Sequence, residues 1–102
     1  MPESTNDDAN SLVIDLPENL DLTAAAPLTE RFIAARGEPV GIDASKVERL
    51  GGQCLQVLLS AVVTWKADMV PLEILKPSEA FESGLRLLGL SVDSLIEKEI
   101  TL

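Results

Sequence analysis

Few residues in this sequence could do chemistry, and histidine is absent altogether. Imidazole is the commonest general base near neutral pH and the commonest transition-metal ligand. Its absence excludes Ser-His and Cys-His catalysis and histidine-based zinc sites. The single cysteine, Cys54, stands near the start of a predicted helix, where a thiolate is favoured. Because its neighbours are apolar and free cysteine is often buried, we predict a core residue and keep a cysteine-dependent enzyme as a remote alternative.

Two acidic pairs, Glu79 with Glu82 and Asp7 with Asp8, have the right chemistry for cation binding or acid-base work. Paired catalytic carboxylates need a shared cleft to shift their pKa values, and no pattern places either pair in one. The Gly51-Gly52 pair lacks the glycine spacing and the Lys-Ser/Thr of a nucleotide-binding loop. From the residues considered so far we expect no catalytic residue, no bound metal, no cofactor and no enzymatic activity.

Composition indicates one globular domain and a protein partner. The 102 residues suit a single core, with residues 1–10 as a flexible acidic tail and residues 11–102 as the domain. A formal net charge of -9 repels phosphate backbones and anionic lipids, which argues against nucleic acid and membrane insertion. The acidic N-terminus lacks the features of a secretory signal, so we expect a cytoplasmic protein.

Three strands are predicted from alternating apolar residues. The first runs from Leu12 to Leu16 and is stopped by Pro17, and the second carries Val40, Ile42 and Ala44. The third spans Val70 to Leu75.

Helical spacing predicts helices between and after these strands. The first is capped by Asp21 or Thr23, tolerates Pro27 if that residue falls in the first turn, and runs to Arg36, with Gly37 as the left-handed residue that follows its end. The second runs from Gly51 to about Ala67, and the third is capped by Ser78 and ended by Gly89. A short C-terminal helical piece then precedes a mixed-charge tail. The inward residues are Leu28, Phe32, Ala35 and Ile33; Cys54, Leu55, Leu58, Leu59, Val62 and Trp65; Phe81, Leu85 and Leu88; and Val92, Leu95 and Ile96.

The alternation favours an α/β fold of order β-α-β-α-β-α with helices packed on a mixed or parallel sheet, and we predict the mixed form. Its second helix carries no charge between Arg49 and Lys66, although surface helices normally face solvent with charged residues. Two interpretations stay open: a partner protein covers the outer side, or the domain itself does. That outer side is predicted to show Gln53, Gln56, Val57, Ser60, Ala61 and Thr64.

The stretch VGIDASKVERLGGQCLQVLLSAVVTWKAD, Val40 to Asp68, resembles STAS domains, the module of anti-sigma-factor antagonists and some transporter regulators. The run LGGQCLQVLL, the alanine-rich first helix and the length are similar to the small STAS proteins of alphaproteobacterial chemotaxis operons, the CheS-like group. Antagonist STAS domains carry Asp-Ser-Ser-Gly at this helix start, and a kinase phosphorylates the first serine. Gly52 matches that serine and has no hydroxyl, so the resemblance implies a constitutive binder with no phosphorylation there.

The resemblance implies a non-catalytic STAS adaptor that binds a signalling protein, most readily the chemotaxis histidine kinase CheA or a related kinase-fold ATPase. Such an adaptor would modulate phosphate flow or response-regulator dephosphorylation. An anti-sigma-factor antagonist, favoured by phosphorylation at Ser45, Ser60 or Thr64, and a regulatory subunit of an ABC transporter ATPase are the alternatives. The expected partner-binding residues are Gly51, Gly52, Gln53, Gln56, Val57 and Ser60 on the helix, with Ser45 and Arg49 on the adjoining loop.

Overall fold

A computed structural model describes residues 12–96 of the protein. The predicted tail at residues 1–10 and the mixed-charge segment after Ile96 lie outside this range. The strands are β1 (Leu12–Asp15), β2 (Asn19–Leu20), β3 (Val40–Asp43), β4 (Arg49–Leu50) and β5 (Leu72–Leu75). The helices are α1 (Leu22–Ala35), α2 (Gly52–Ala67), α3 (Glu79–Leu87) and α4 (Val92–Ile96).

The main sheet has the order β1-β3-β5, and both pairings are parallel. Ile14, Ile42 and Ile74 are in register across it, so one apolar row crosses the sheet under the helices. Helices α1 and α2 each join neighbouring strands and step across the sheet in the same direction. Right-handed crossovers therefore put both helices on the same face, where they contact each other. The predicted α/β fold is confirmed, and the strands of the described residues pair only in parallel, so the predicted mixed sheet is corrected to a parallel one.

A second, very short sheet pairs β2 with β4 in parallel. Asn19 lies opposite Arg49 and Leu20 opposite Leu50, and the Gly51 amide extends the ladder by donating to the Leu20 carbonyl oxygen at 2.8 Å. Strand β2 leads almost directly into α1, and β4 into α2. The pairing therefore sets the first turns of the two helices side by side.

Helix ends follow the predicted signals. The Asp21 side chain accepts a 3.0 Å bond from the Thr23 amide and caps α1, and the Ser78 hydroxyl accepts one from the Phe81 amide and caps α3. Gly37 and Gly89 end these helices with positive φ angles, a conformation that glycine adopts without strain.

Pro27 corrects one expectation, because it lies inside α1 beyond the first turn. Proline has no amide hydrogen, so the Thr23 carbonyl loses its helical partner. The helix continues nevertheless, since most of the stability of a short helix comes from packing of its apolar face. In α1 that face buries Leu28, Phe32 and Ala35 as predicted.

Two predicted core residues are exposed, Ile33 at 69% and Leu88 at 46%. Ile33 follows Phe32 by one residue, about 100° further round the helix, so both cannot face the sheet. Leu88 stands just past the end of α3, where its amide bonds the Leu85 carbonyl. The predictions for Ile33 and Leu88 were wrong.

Two residues of α2 also differ from their predicted sides. Ala61 was placed outward but is only 3% exposed, on a helix that packs against α1. Leu59 was placed inward and is half-buried. Trp65 is a core residue as predicted: its ring meets Phe32 edge to face at 5.9 Å, and its Nε1 donates to the Glu38 carbonyl at 2.7 Å.

Candidate partner-binding surface

No side chain of the described residues caps the start of α2. Gly51 is the N-cap residue and makes no side-chain capping bond, and the first turn contains no acidic residue. The first amide groups of a helix have no helical acceptors, and the helix dipole adds positive character at this end. The surface can therefore receive a hydrogen-bond acceptor from outside the domain.

Gly51 and Gly52 are glycines with different surroundings. A Cβ built on Gly51 would lie 3.1 Å from the Leu20 carbonyl oxygen, so β2 approaches the backbone closely there. A Cβ on Gly52 would meet no atom within 4 Å. Close packing against β2 therefore explains why residue 51 is a glycine. Gly52 faces open space, and in the resemblance to antagonist STAS domains it occupies the position of the phosphorylated serine.

An exposed polar stripe continues along α2 from this start. Gln53, Gln56 and Ser60 are exposed, Val57 between them is half-buried, and Thr64 ends the stripe half-buried. The described chain covers none of the three exposed side chains. The structure therefore brings the predicted α2 residues together on one accessible face.

The two predicted loop residues, Ser45 and Arg49, are both exposed. The Ser45 amide donates to the Asp43 carboxylate at 2.9 Å. Hydrogen bonds from Ser45 are the main cause of a lowered pKa at Asp43, and the positive charges of Lys76 and Lys46 lower that pKa further. Arg49 lies in β4 rather than in a loop, three residues before the start of α2.

Cys54 is buried in the core, as predicted. Its Sγ donates to the Asp21 carbonyl oxygen at 3.2 Å. Burial raises the pKa of the thiol, and the nearby Asp21 charge raises it further. Since the thiolate is the reactive form, this environment disfavours Cys54 as a nucleophile.

The acidic pairs supply no second candidate site. Glu79 and Glu82 both lie in the first turn of α3, where carboxylates are stabilised by the helix dipole. Asp7 and Asp8 lie outside the described residues.

The sequence pattern did not point to one feature of this region, a groove between α1 and α2. Its α1 side is formed by Thr29, Phe32, Ile33 and Arg36, and its α2 side includes Gln53, Gln56 and Val57. The spacing of Leu28, Phe32 and Ala35 was the available signal, because it fixes the buried side of α1 and leaves Ile33 to one flank.

A parallel sheet with helices packed on it defines a small α/β domain, and the open, uncharged start of α2 gives this domain an accessible surface. A family model described as "Mlab, STAS domain" matches residues 4–97, so the chain belongs to the STAS domain family. Domains of this family are generally non-catalytic regulatory modules that interact with protein partners. Searches of the curated proteins and of the solved structures returned no significant match.

The helices of the described residues are all too short or too polar to cross a bilayer.

Proposed function

We propose that this protein is a cytoplasmic, non-catalytic STAS adaptor that binds a signalling protein through the start and outer face of α2. The proposed partner is the chemotaxis histidine kinase CheA, and the adaptor modulates phosphate flow or response-regulator dephosphorylation. The similarity of residues 40–68 to the CheS-like proteins of chemotaxis operons supports this partner. In the proposal, residues 11–102 act as one domain.

The observation that carries the proposal is the exposed face of α2 without a charge between Arg49 and Lys66. Interface centres are depleted of charged residues, and small, polar and apolar groups mix there. Gln53, Gln56, Val57 and Ser60 supply that mixture, and the uncapped amides of the first turn add directional donors. Ser45 and Arg49 extend the contact to the loop and β4.

Gly52 makes the proposed contact constitutive at that position. The residue carries no hydroxyl, and the space around it is open. A partner group can approach the helix start directly, and no phosphoryl group added at Gly52 can block it. Regulation would then come from the amount of adaptor or from the partner.

The test measures binding of purified full-length protein to the CheA encoded in the same genome. Gln56→Arg and Gly52→Glu should each weaken binding by about tenfold or more, since each places a charge in the proposed contact. Ala34→Arg is the matched control for Gln56→Arg, because Ala34 is exposed on α1 and lies outside the groove between the helices. Circular dichroism establishes that each variant is folded.

Unchanged binding by folded Gln56→Arg and Gly52→Glu proteins would refute the surface. Absence of CheA binding by the parent protein would refute the partner. Binding to an anti-sigma factor or to an ABC transporter ATPase instead would establish one of the alternatives. If a folded Cys54→Ala protein bound its partner normally but no longer worked in the cell, the enzyme alternative would be supported.

A further inference from the structure

The groove between α1 and α2 has an apolar floor and an apolar lip. Phe32, Ala61 and Trp65 line its base, and Val57 and Ile33 rise beside them. Its volume is about 290 Å³. Ile33 is 69% exposed within the described structure, and together with the half-buried Val57 it extends the apolar lining of the groove.

The groove lining carries a single charged residue, Arg36. Its Nε donates to the Asp68 carboxylate at 3.0 Å, and the pair is exposed to solvent. Beyond the lining the balance is acidic: Glu30 is exposed one helical turn before Ile33, and the whole chain carries a net charge of -9. An occupant therefore gains from an apolar face and from positive charge at its sides.

The shape of the groove fits a helix. It runs along α2 from Gln53 to Thr64, about three turns or roughly 16 Å. Two adjacent helices present ridges and grooves into which a third helix packs along a similar direction. A second copy of this chain is disfavoured, because it would bring another net charge of -9 to the same surface.

We infer that this groove holds an amphipathic helix of the partner protein, with aliphatic side chains inserted between Ile33 and Val57 and with Lys or Arg residues along its flanks. The inference rests on the proposed function, because the helix belongs to the partner that binds the outer face of α2. It adds α1 to that binding surface and specifies the recognised element as a basic amphipathic helix.

The test uses a synthetic helical peptide made of leucine and lysine, about four turns long, with leucines on one face. Binding is followed by the fluorescence anisotropy of the dye-labelled peptide, because Trp65 is only 2% exposed in the free protein and its emission does not report occupancy. Saturable binding is expected. A scrambled peptide of the same composition and charge should bind at least about tenfold more weakly, because its leucines do not share a face.

Ile33→Glu is the decisive variant, with Leu87→Glu as its matched control. Leu87 is 88% exposed on α3, outside the groove lining, and both changes add one negative charge at an exposed aliphatic position. Binding should weaken about tenfold or more in Ile33→Glu and change less than about twofold in Leu87→Glu. A merely electrostatic association would strengthen in both variants, because each makes the protein more acidic.

Equal binding of the scrambled peptide, an undiminished affinity in Ile33→Glu, or absence of binding would each overturn the inference. Circular dichroism verifies the fold, and Ile33→Ser repeats the test without an added charge. The proposed function can fail separately: peptide binding that depends on Ile33, with no binding to CheA, would refute only the partner. CheA binding that is lost in Gly52→Glu but kept in Ile33→Glu would refute only the groove.

Discussion

The Gly51 amide and the Leu20 carbonyl oxygen are joined by a 2.8 Å hydrogen bond that ties the start of α2 to β2. The bond brings the two backbones so close that a side chain at Gly51 would press on the acceptor it uses. The helix that carries the proposed partner surface is therefore anchored at its N-cap residue, and Gly52, the first residue of the helix, is free of this constraint.

Alanine at these two glycines should have opposite effects. Gly52→Ala should stabilise the protein by about 0.4–1 kcal/mol, because alanine restricts the unfolded chain and meets no neighbour in the helix. Gly51→Ala should destabilise it by about 1 kcal/mol, because its Cβ would lie 3.1 Å from the Leu20 oxygen and alanine is a poor N-cap residue. Urea unfolding measures both changes. Equal midpoints for the two variants would contradict the assigned packing role of Gly51.

Neighbouring residues of α1 should differ sharply in their importance for stability. Phe32→Ala should reduce the free energy of unfolding by about 3–5 kcal/mol, because it empties a buried site against Trp65. Ile33→Ala should stay within about 0.5 kcal/mol of the parent, because Ile33 is largely exposed. Thermal or urea unfolding separates these values readily. A large loss in Ile33→Ala would mean that Ile33 is a core residue after all.

The ion pair between Arg36 and Asp68 should add stability that depends on pH. The hydrogen bond from Arg36 is the main cause of a lowered pKa at Asp68, from the ordinary value of 3.8, and the Arg36 charge adds to it. A carboxyl group whose pKa is lower when folded stabilises the protein above the unfolded-state pKa and loses this effect as pH falls through the folded-state pKa. The effect should be small, because the pair is exposed to solvent.

Asp68→Asn tests this relationship by urea unfolding from neutral pH down to about pH 2. The variant should be slightly less stable than the parent near neutral pH, and the difference should vanish at the acid end. Glu73→Gln, at an exposed position of β5, controls for the simple loss of a negative charge. If the stability of Asp68→Asn differed from that of the parent by the same amount at the acid end as at neutral pH, titration of Asp68 would not be the cause of the difference.

The Cys54 thiol should react slowly in the folded protein. It is buried, and burial followed by the Asp21 charge raises its pKa, so both access and thiolate fraction are low. Labelling by a chromogenic disulfide reagent at neutral pH should be about a hundredfold or more slower than in denaturant, because it requires local opening. The denatured sample supplies the reference rate. Rapid labelling of the native protein would show that the Cys54 thiol is accessible and reactive.

Much of the fold could be predicted from local patterns. Strand alternation located β1, β3 and β5, and helical spacing located the four helices. The caps were also predictable, because Asp21 and Ser78 are residue types whose side chains bond to helix amides, and Gly37 and Gly89 are the residues that end helices with positive φ.

The remaining features depend on pairing between distant segments. Strands β2 and β4 have only two residues each, too few for an alternation to be seen, so their parallel pairing emerged only in three dimensions. The groove was hidden for a related reason. Ile33 counts as a core residue by type, and only the packing of α1 against α2 shows it on the lip, with Ala61 turned to the floor.

The charge-free stretch of α2 between Arg49 and Lys66 has a consequence for how a complex would form and come apart. Contacts made on that stretch are uncharged, so the dissociation rate should change little with ionic strength. The net charge of -9 acts at a distance, so the association rate with a basic partner should fall as salt is added. The uncharged face of α2 would then determine how long a partner stays bound. The acidic residues elsewhere in the protein would determine how fast the partner associates.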